Sequence, residues 1–171
     1  MPESTLKYIL FVFISLLPCS VMAQTDGAEG ATEEWFAVTR VVDGDTFWVA
    51  DSSGNSIKIR LIGIDAPEPR NTGTRPKGYF GAESTNYLRQ LLNDKKVRLE
   101  YDVSRYDRYK RTLAYAYLED GTFVNAELVK NGYATVMTVP PNVKHQETFT
   151  RLAARARGQN RGLWKGTPSA K

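Results

Sequence analysis

Three short segments of the chain combine acidic and basic residues in a way that suits catalysis. They read V-V-D-G-D-T at residues 41–46, I-R-L-I-G-I-D-A-P-E at 59–68 and D-R-Y-K-R-T-L-A-Y at 107–115. Each segment places acids or arginines where a predicted strand begins or ends. Gly44 allows a sharp turn, so that Asp45 can point back over the sheet. Taken singly, each segment is more often an ordinary turn or a solvated surface loop.

The acidic residues indicate a site for a hard cation. Asp65 and Glu68 lie three residues apart, across Pro67. Two like charges at close range raise each other's pKa unless a cation or an arginine compensates them. Asp45 and Asp65 carry hard oxygen ligands of the kind that Ca²⁺ prefers, with backbone carbonyls and waters completing its coordination.

The arginines indicate a binding site for phosphate. Arg60 lies within an otherwise apolar strand, and Arg111 begins a strand after a charged loop. A phosphodiester has two non-bridging oxygens that match a guanidinium fork, and arginine keeps its charge at any working pH. Arg60 and Arg111 together could therefore supply two such forks.

The composition excludes several other kinds of site. The chain has 171 residues, 42% of them hydrophobic, which is enough for one domain with a core. Its only cysteine is Cys19 and its only histidine is His145, which excludes an intrachain disulfide, a Cys-based zinc site and a His-rich metal centre. The formal charge of +4 favours polyanionic partners without proving nucleic-acid binding.

The N-terminal region predicts export. Residues 8–17 form an apolar run preceded by Lys7, and V-M-A at 21–23 resembles a cleavage site, so we predict a signal peptide cut after Ala23. The run is about half of the ~20 residues that a spanning helix needs. Lipid attachment at Cys19 is the alternative, and either route gives a secreted or periplasmic protein. Residues 24–34 are small, polar and acidic, which predicts a flexible leader.

The remaining pattern predicts one α+β domain over residues 35–165, followed by a tail at 166–171. Strand-like runs occupy 35–42, 46–50, 56–62, 97–102 and 112–118, helical patterns occupy 82–93, 126–131 and 145–157, and residues 67–78 read as a long surface loop. Five antiparallel strands with a helix after the third strand is the order of an OB-fold, a β-barrel that binds oligonucleotides and oligosaccharides. We expect Asn125 to cap the second helix, Gly132 to end it and Trp164 to pack the tail onto the body.

Five motifs, in this order, resemble the staphylococcal (micrococcal) nuclease family, also called thermonucleases. They are D-G-D-T, R-L-I-G-I-D-A-P-E, D-R-Y-K-R-T-L-A-Y, L-V-K-N-G-Y-A and G-L-W, and the resemblance covers roughly residues 35–165. The resemblance implies an OB-fold barrel with three helices. It also implies a Ca²⁺-dependent nuclease that cleaves the 5′ P–O bond of DNA and RNA and leaves 3′-phosphates. Nothing in the sequence indicates oligomerisation, so we expect a monomer without a membrane partner after signal removal.

The resemblance also implies the metal ligands and the base. Asp45 and Asp65 match the family's calcium carboxylates, and Ala66 falls where a threonine binds calcium through its backbone carbonyl, which alanine retains. Glu68 matches the proposed general base. The sequence leaves open whether Glu68 deprotonates the attacking water or only orients it.

Four further residues match phosphate-binding positions of the family. Arg60 and Arg111 match the pair that binds the reacting phosphate, and Arg108 and Tyr109 match a lysine and a tyrosine that contact a neighbouring phosphate. All of these positions are filled, which favours an enzyme. The alternatives are a non-catalytic OB-fold module that binds single strands through the same basic face, and a structural interaction domain in which Arg60 and Glu68 are merely paired.

Two positions depart from the family's pattern. Lys110 replaces a glycine, and Thr138 falls where a base-stacking tyrosine is expected, with Tyr133 as a candidate replacement. These departures concern nucleotide affinity and base preference rather than the reaction.

Overall fold

The computed structural model describes residues 33–71, 73 and 76–165. The strands are β1 Trp35–Val41, β2 Thr46–Ala50, β3 Ser56–Leu61, β4 Ile64–Asp65, β5 Lys96–Glu100, β6 Thr112–Leu118 and β7 Thr135–Val136. The helices are α1 Gly81–Leu92, α2 Val124–Lys130 and α3 Gln146–Gly158, and a 3₁₀ turn spans Gly162–Trp164. The predicted signal peptide, Cys19, the tail and all of the leader except Glu33 and Glu34 lie outside the described residues. No helix in the described part of the chain is long and apolar enough to cross a membrane.

Five of the strands close into a barrel in the order β1-β2-β3-β6-β5, which confirms the predicted α+β barrel with three helices. The prediction that all five strands are antiparallel is wrong for one pair, because β3 and β6 run parallel, with Ile59 opposite Thr112 and Leu61 opposite Ala114. A closed ring with an odd number of strands cannot alternate direction at every step. At least one parallel pair is therefore required wherever five strands close a barrel.

Strict alternation along β2 and β3 builds the core and separates it from the outer face. Phe47, Val49 and Ile59 have no exposed surface, and Leu61 has 1%. Because successive side chains of a strand point to opposite faces, the residues between them lie on the outside of the barrel. Arg60 is one of these outward residues, which is how a charged side chain fits an apolar strand.

A two-stranded sheet beside the barrel, formed by β4 and β7, was missed by the sequence pattern. Asp65 pairs with Thr135 and Ile64 with Val136, and the Met137 N–H donates to the Gly63 carbonyl at 3.0 Å. Strands of two residues are too short to show alternation. This sheet brings the segment after β7 next to the acids that follow β3.

Asn125 does not cap the second helix as predicted, because α2 begins at Val124, two residues before the predicted start at residue 126. Asn125 is completely buried inside α2. Its Oδ1 accepts a hydrogen bond from the Ala116 N–H at 3.0 Å, and its Nδ2 donates to the Ile62 carbonyl at 2.9 Å. The side chain therefore ties α2 to β6 and to the end of β3.

Gly132 and Gly162 allow the end of α2 to lie against the 3₁₀ turn. Gly132 ends the helix with φ +74, as predicted, and its carbonyl accepts a hydrogen bond from the Leu163 N–H at 2.8 Å. A Cβ on Gly132 would lie 2.3 Å from the Arg161 carbonyl oxygen, so only glycine fits this approach. Trp164 packs under the Arg157 guanidinium of α3, whose Cζ is 4.4 Å from the ring centroid.

Candidate active site

One cavity of about 720 Å³ contains every site residue predicted from the sequence. These residues come from the β1–β2 turn, from β3, from β4 with the loop after it, and from the loop before β6. They are Asp45, Arg60, Asp65, Ala66, Glu68, Arg108, Tyr109 and Arg111. The fold therefore brings together positions that are up to 66 residues apart in the chain.

Close packing around Gly44 fixes the position of Asp45. A Cβ on Gly44 would lie 2.6 Å from the Ala66 Cβ and 2.9 Å from the Ser84 Cβ, so the turn needs glycine because of space. The Asp45 N–H donates to Oδ1 of Asp43 at 3.1 Å. Oδ2 of Asp45 accepts a hydrogen bond from the Ala66 N–H at 2.7 Å, which holds the carboxylate against the loop after β4.

Arg60 lies between the two predicted calcium ligands. Its Nη2 donates to Oδ1 of Asp65 at 3.0 Å, and its Nε is 3.2 Å from Oδ1 of Asp45. Both hydrogens of Nη1 are used by backbone carbonyls, those of Leu61 at 2.7 Å and Ile64 at 2.9 Å. Only the edge formed by Nε and Nη2 therefore faces the acids. The side chain is buried, so these bonds fix the guanidinium as part of the site.

The site carries more negative than positive charge. Among the described residues that line the cavity, five are acidic and three are arginines. Burial raises the pKa of Asp45 to about 7, Arg60 opposes this rise, and the neighbouring Asp43 and Asp65 add to it. A site of this kind is short of positive charge when its acids are ionised.

The available oxygen atoms fit a hard divalent cation. The Asp45 and Asp65 carboxylates and the Ala66 carbonyl are the ligand types that Ca²⁺ takes, and carboxylate oxygens retain lone pairs beyond those used by Arg60. No group of three or more His, Cys, Asp or Glu side chains in the described ranges could enclose a metal by itself. Waters or substrate oxygens would therefore have to complete the coordination.

Asp107 positions Arg111 and was not identified from the sequence. Its Oδ2 accepts a hydrogen bond from Nε of Arg111 at 2.7 Å, and its Oδ1 accepts from the N–H groups of Arg111 and Tyr109, both at 2.9 Å. Burial alone would raise the pKa of Asp107, but these bonds from Arg111 hold it below its usual range. An aspartate that accepts from the N–H two residues later is a turn signal, and the segment D-R-Y-K-R carries it.

Arg108 and Tyr109 form the outer rim of the cavity. Tyr109 is 65% exposed. The Arg108 Cζ lies 4.7 Å from the centroid of its ring, and the Arg111 Cζ lies 5.5 Å from it. Cation–π attraction therefore holds the three side chains together where a strand of anionic substrate would pass.

Lys110 adopts a left-handed backbone conformation, with φ +58. Non-glycine residues pay roughly 1–2 kcal/mol there, whereas glycine loses about 0.5–1 kcal/mol through chain entropy. We expect Lys110→Gly to raise the free energy of unfolding by about 0.5–1 kcal/mol in urea denaturation. Arg108→Gly, two residues earlier and outside the left-handed region, should lower it by a similar amount. Destabilisation by Lys110→Gly would contradict this account of the loop.

The start of α1 holds the backbone of Glu68. The Glu68 carbonyl accepts a hydrogen bond from the Gly78 N–H at 2.9 Å. A Cβ on Gly81 would lie 2.1 Å from the same carbonyl oxygen, so this approach is possible only with glycine. Phe80, between them, has φ +68, and its ring stacks on Tyr133 at 5.5 Å between centroids.

The chain after β7 does not place Thr138 on the cavity wall, as its match to a base-stacking position led us to expect. Met137 and Val139 line the cavity, and Thr138 does not. Because alternate residues of extended chain face opposite sides, an alignment shifted by one residue exchanges the two faces. Tyr133 does not line the cavity either, since it stacks on Tyr87 with centroids 3.9 Å apart. The described wall is therefore aliphatic at the place where a stacking ring was expected.

Comparison with known proteins agrees with this geometry. A family model described as "Staphylococcal nuclease homologue" matches residues 58–166. The chain is 34% identical to the thermonuclease of Staphylococcus hyicus, over 91% of this chain and 95% of that protein. It is 37% identical to the thermonuclease of Staphylococcus intermedius, over 77% of each. It is also 35% identical to endonuclease YhcR of Bacillus subtilis (strain 168), over 80% of this chain and 12% of that protein. The chain therefore belongs to the staphylococcal nuclease family, and it is a nuclease.

Proposed function

We propose that this nuclease is a Ca²⁺-dependent enzyme that hydrolyses the 5′ P–O bond of DNA and RNA and leaves 3′-phosphates. The observation that carries the proposal is one cavity in which Arg60 and Arg111 lie among an excess of carboxylates. An anionic phosphodiester would be repelled by such a site unless a cation were bound with it. The predicted metal dependence and the predicted substrate therefore support each other.

The metal would be held by the carboxylates of Asp45 and Asp65 and the carbonyl of Ala66. When bound, Ca²⁺ withdraws charge from a phosphate oxygen and so favours attack at phosphorus. Asp45 is prepared for this role because the Ala66 N–H already fixes its Oδ2. Asp65 is fixed by Nη2 of Arg60.

The two arginines would stabilise the pentacoordinate state, which carries one more negative charge than the ground state. The Nε–Nη2 edge of Arg60, which contacts Asp65 and Asp45, would turn to the phosphate when a cation takes over those carboxylates. Arg111 is oriented by Asp107 through its own Nε. Donors that are fixed before reaction are usually the largest contribution to catalysis. Arg108 and Tyr109 would hold the phosphate of the neighbouring nucleotide.

Glu68 would orient a water for in-line attack, as its base or as its hydrogen-bond acceptor. The side chain lines the cavity, and the hydrogen bond from Gly78 fixes its backbone. The predicted signal peptide implies where the enzyme acts. A secreted or periplasmic nuclease would cleave DNA and RNA outside the cytoplasm.

The test is cleavage of labelled single-stranded DNA and RNA by the purified protein in Ca²⁺. We expect products whose 3′ ends accept polymerase extension only after phosphatase treatment. Glu68→Gln should remove cleavage while binding of the same oligonucleotides remains. Binding without cleavage by the unmodified protein would instead support a single-strand binding module, and 5′-phosphate products would contradict the proposed bond.

The contact between Gly81 and Glu68 gives a separate prediction. Alanine favours helices more than glycine does, so Gly81→Ala would stabilise α1 if only helix propensity mattered. The new Cβ would instead collide with the Glu68 carbonyl and displace the loop. A small displacement of a reacting group slows the chemical step strongly. We therefore expect displacement of Glu68 to lower kcat by about tenfold or more, with little change in KM.

The control for this prediction is Ala82→Ser, at the exposed next position of α1. Its kcat should stay close to that of the unmodified protein. An unchanged kcat in Gly81→Ala would show that the Glu68 loop is not positioned by this contact.

A further inference from the structure

A row of two cations and one indole crosses the outer face of β1, β2 and β3. Arg40 pairs with Trp48 in the register of β1 with β2, and Trp48 pairs with Lys58 in the register of β2 with β3. The Arg40 Cζ and the Lys58 Nζ each lie 5.8 Å from the centroid of the Trp48 ring. We call Arg40, Trp48 and Lys58 the barrel row.

The barrel row lies directly beside the active site. Lys58 and Arg60 are two residues apart on β3, so both point outward, and Thr46, two residues before Trp48, pairs with Arg60. Two residues along a strand correspond to about 6.6 Å. A substrate strand that leaves the cavity at Arg60 in the direction of Lys58 would therefore reach the barrel row within about one nucleotide.

The two cations of the barrel row contact the Trp48 ring but pair with no acid in the described part of the chain. Neither Arg40 nor Lys58 forms an ion pair with any described residue, whereas Arg98 on the same barrel pairs with Glu33 at 3.3 Å. The Trp48 Nε1 is buried and has no hydrogen-bond partner in the described ranges. Cation–π contacts near the surface contribute little to stability, and the buried Trp48 Nε1 without a partner opposes that gain, so stability alone does not explain the barrel row.

This combination matches the chemistry of single-stranded nucleic acid. Proteins that bind such strands combine cations that follow the phosphates with aromatic rings that contact the bases. The cavity itself offers the substrate more acids than arginines, so cations beyond it are needed to hold a longer strand. A duplex keeps its bases stacked internally and would use the cations alone.

We propose that the barrel row is a binding subsite for nucleotides of a single-stranded substrate beyond the reacting phosphate. Arg40 and Lys58 contact phosphates, and the half-buried Trp48 ring contacts a base. The inference rests on the proposed nuclease function and assigns to it a contact surface for longer substrates outside the cavity.

The test compares kinetics on a dinucleotide and on a 20-nucleotide single strand in Ca²⁺. For Arg40→Gln combined with Lys58→Gln, we expect KM on the 20-mer to rise about fivefold or more, with kcat unchanged. The slope of log KM against log salt should fall by about 1.4, since each phosphate contact to a single strand contributes ~0.7. The dinucleotide is used without terminal phosphates, so the reacting phosphate is the only one it carries. Its kinetics should stay within twofold, because Arg40 and Lys58 then have no further phosphate to contact.

Trp48 is tested separately with two variants. Trp48→Leu should raise KM on the 20-mer about fivefold, since loss of one base–ring contact has at least this effect. Trp48→Phe keeps a ring and removes the unsatisfied Nε1 donor, so its KM should stay close to that of the unmodified protein. Thermal unfolding of each variant identifies any loss of fold, and Trp48→Phe keeps the inference testable if Trp48→Leu unfolds.

The charge-matched control is Lys95→Gln combined with Lys96→Gln, two exposed lysines at the start of β5. We expect its KM on the 20-mer to change less than twofold at equal salt. An equal rise in the control, an unchanged KM in the barrel-row variants, or an equal rise on the dinucleotide would each overturn the inference. If the unmodified protein cleaves neither substrate, the proposed function fails instead, so the two failures are distinguishable.

Discussion

Arg60→Lys should lower kcat by at least ~10²-fold, although it preserves the charge. A lysine ammonium is a point charge and cannot reproduce the parallel hydrogen bonds of a guanidinium edge to phosphate. Loss of one fixed donor from the transition state typically costs 10²–10³ in kcat. The measurement is single-turnover cleavage of a single-stranded oligonucleotide at saturating Ca²⁺.

The structure adds a second reason for this effect. Nη1 of Arg60 satisfies the carbonyls of Leu61 and Ile64 while Nη2 holds Asp65. Lysine has three donors on one nitrogen and cannot span these three acceptors, so at least one buried group is left without its partner. We therefore expect a lower thermal midpoint as well, and kinetics should be measured well below it.

Arg108→Lys is the matched control for Arg60→Lys. The same chemical change is made in the same cavity, but Arg108 lies at the exposed rim and contacts the ring of Tyr109. Arg108 also matches a position at which the family resemblance implies lysine. We expect kcat within about twofold of the unmodified protein. Near-normal turnover in Arg60→Lys would show that the guanidinium geometry of Arg60 is not used for phosphate.

The barrel was predictable because its core follows from alternation, whereas its one parallel pair needed a topological argument. The runs 46–50 and 56–62 show apolar residues at every second position, so their inward faces could be identified before the structure was known. The parallel pairing of β3 with β6 follows only once the strands are known to close into a ring of five. The sequence pattern predicted the five barrel strands, and their closure into a ring required at least one parallel pair among them.

Cavity residues in or beside a clearly patterned strand were predictable from the sequence. Cavity residues in loops that are held by local hydrogen bonds were harder to predict. Asp45 directly precedes β2 and Arg60 lies within β3, so the alternation of apolar residues in these strands indicates which way both side chains point. Asp107 acts through backbone N–H groups of its own loop, which apolar periodicity does not report. The choice between Met137 and Thr138 depended on β7, whose two residues are too few to fix a register.

Removal of calcium should abolish cleavage. The acids of the cavity outnumber its arginines among the described residues, and burial holds the pKa of Asp45 at about 7, so the ionised site is costly without an added cation. We expect no cleavage above background in excess EGTA and full recovery when Ca²⁺ is restored. Full turnover in excess EGTA would contradict the proposed mechanism.

Asp45→Asn should separate metal binding from folding. Asparagine keeps an oxygen acceptor for the Ala66 N–H but loses a charged ligand, so cleavage should be lost while the fold remains. Calcium at a hundred times its Kd should stabilise the unmodified protein by about 2.7 kcal/mol and leave Asp45→Asn unaffected. The control is Glu119→Gln, which removes one exposed acid and should keep both cleavage and the calcium shift.

The same variant carries a prediction about pH in the absence of calcium. Because burial raises the pKa of Asp45 in the folded state, the folded protein binds this proton more tightly than the unfolded chain does. Stability attributable to Asp45 is therefore present at low pH and is lost as pH rises from the unfolded value of 3.8 through about 7. Without calcium, Asp45→Asn should thus be more stable than the unmodified protein at pH 8, and this advantage should shrink toward pH 5. An advantage that instead grew at low pH would mean that Arg60 and the Ala66 N–H outweigh burial, and that the Asp45 carboxylate has the positive charge it needs without a metal ion.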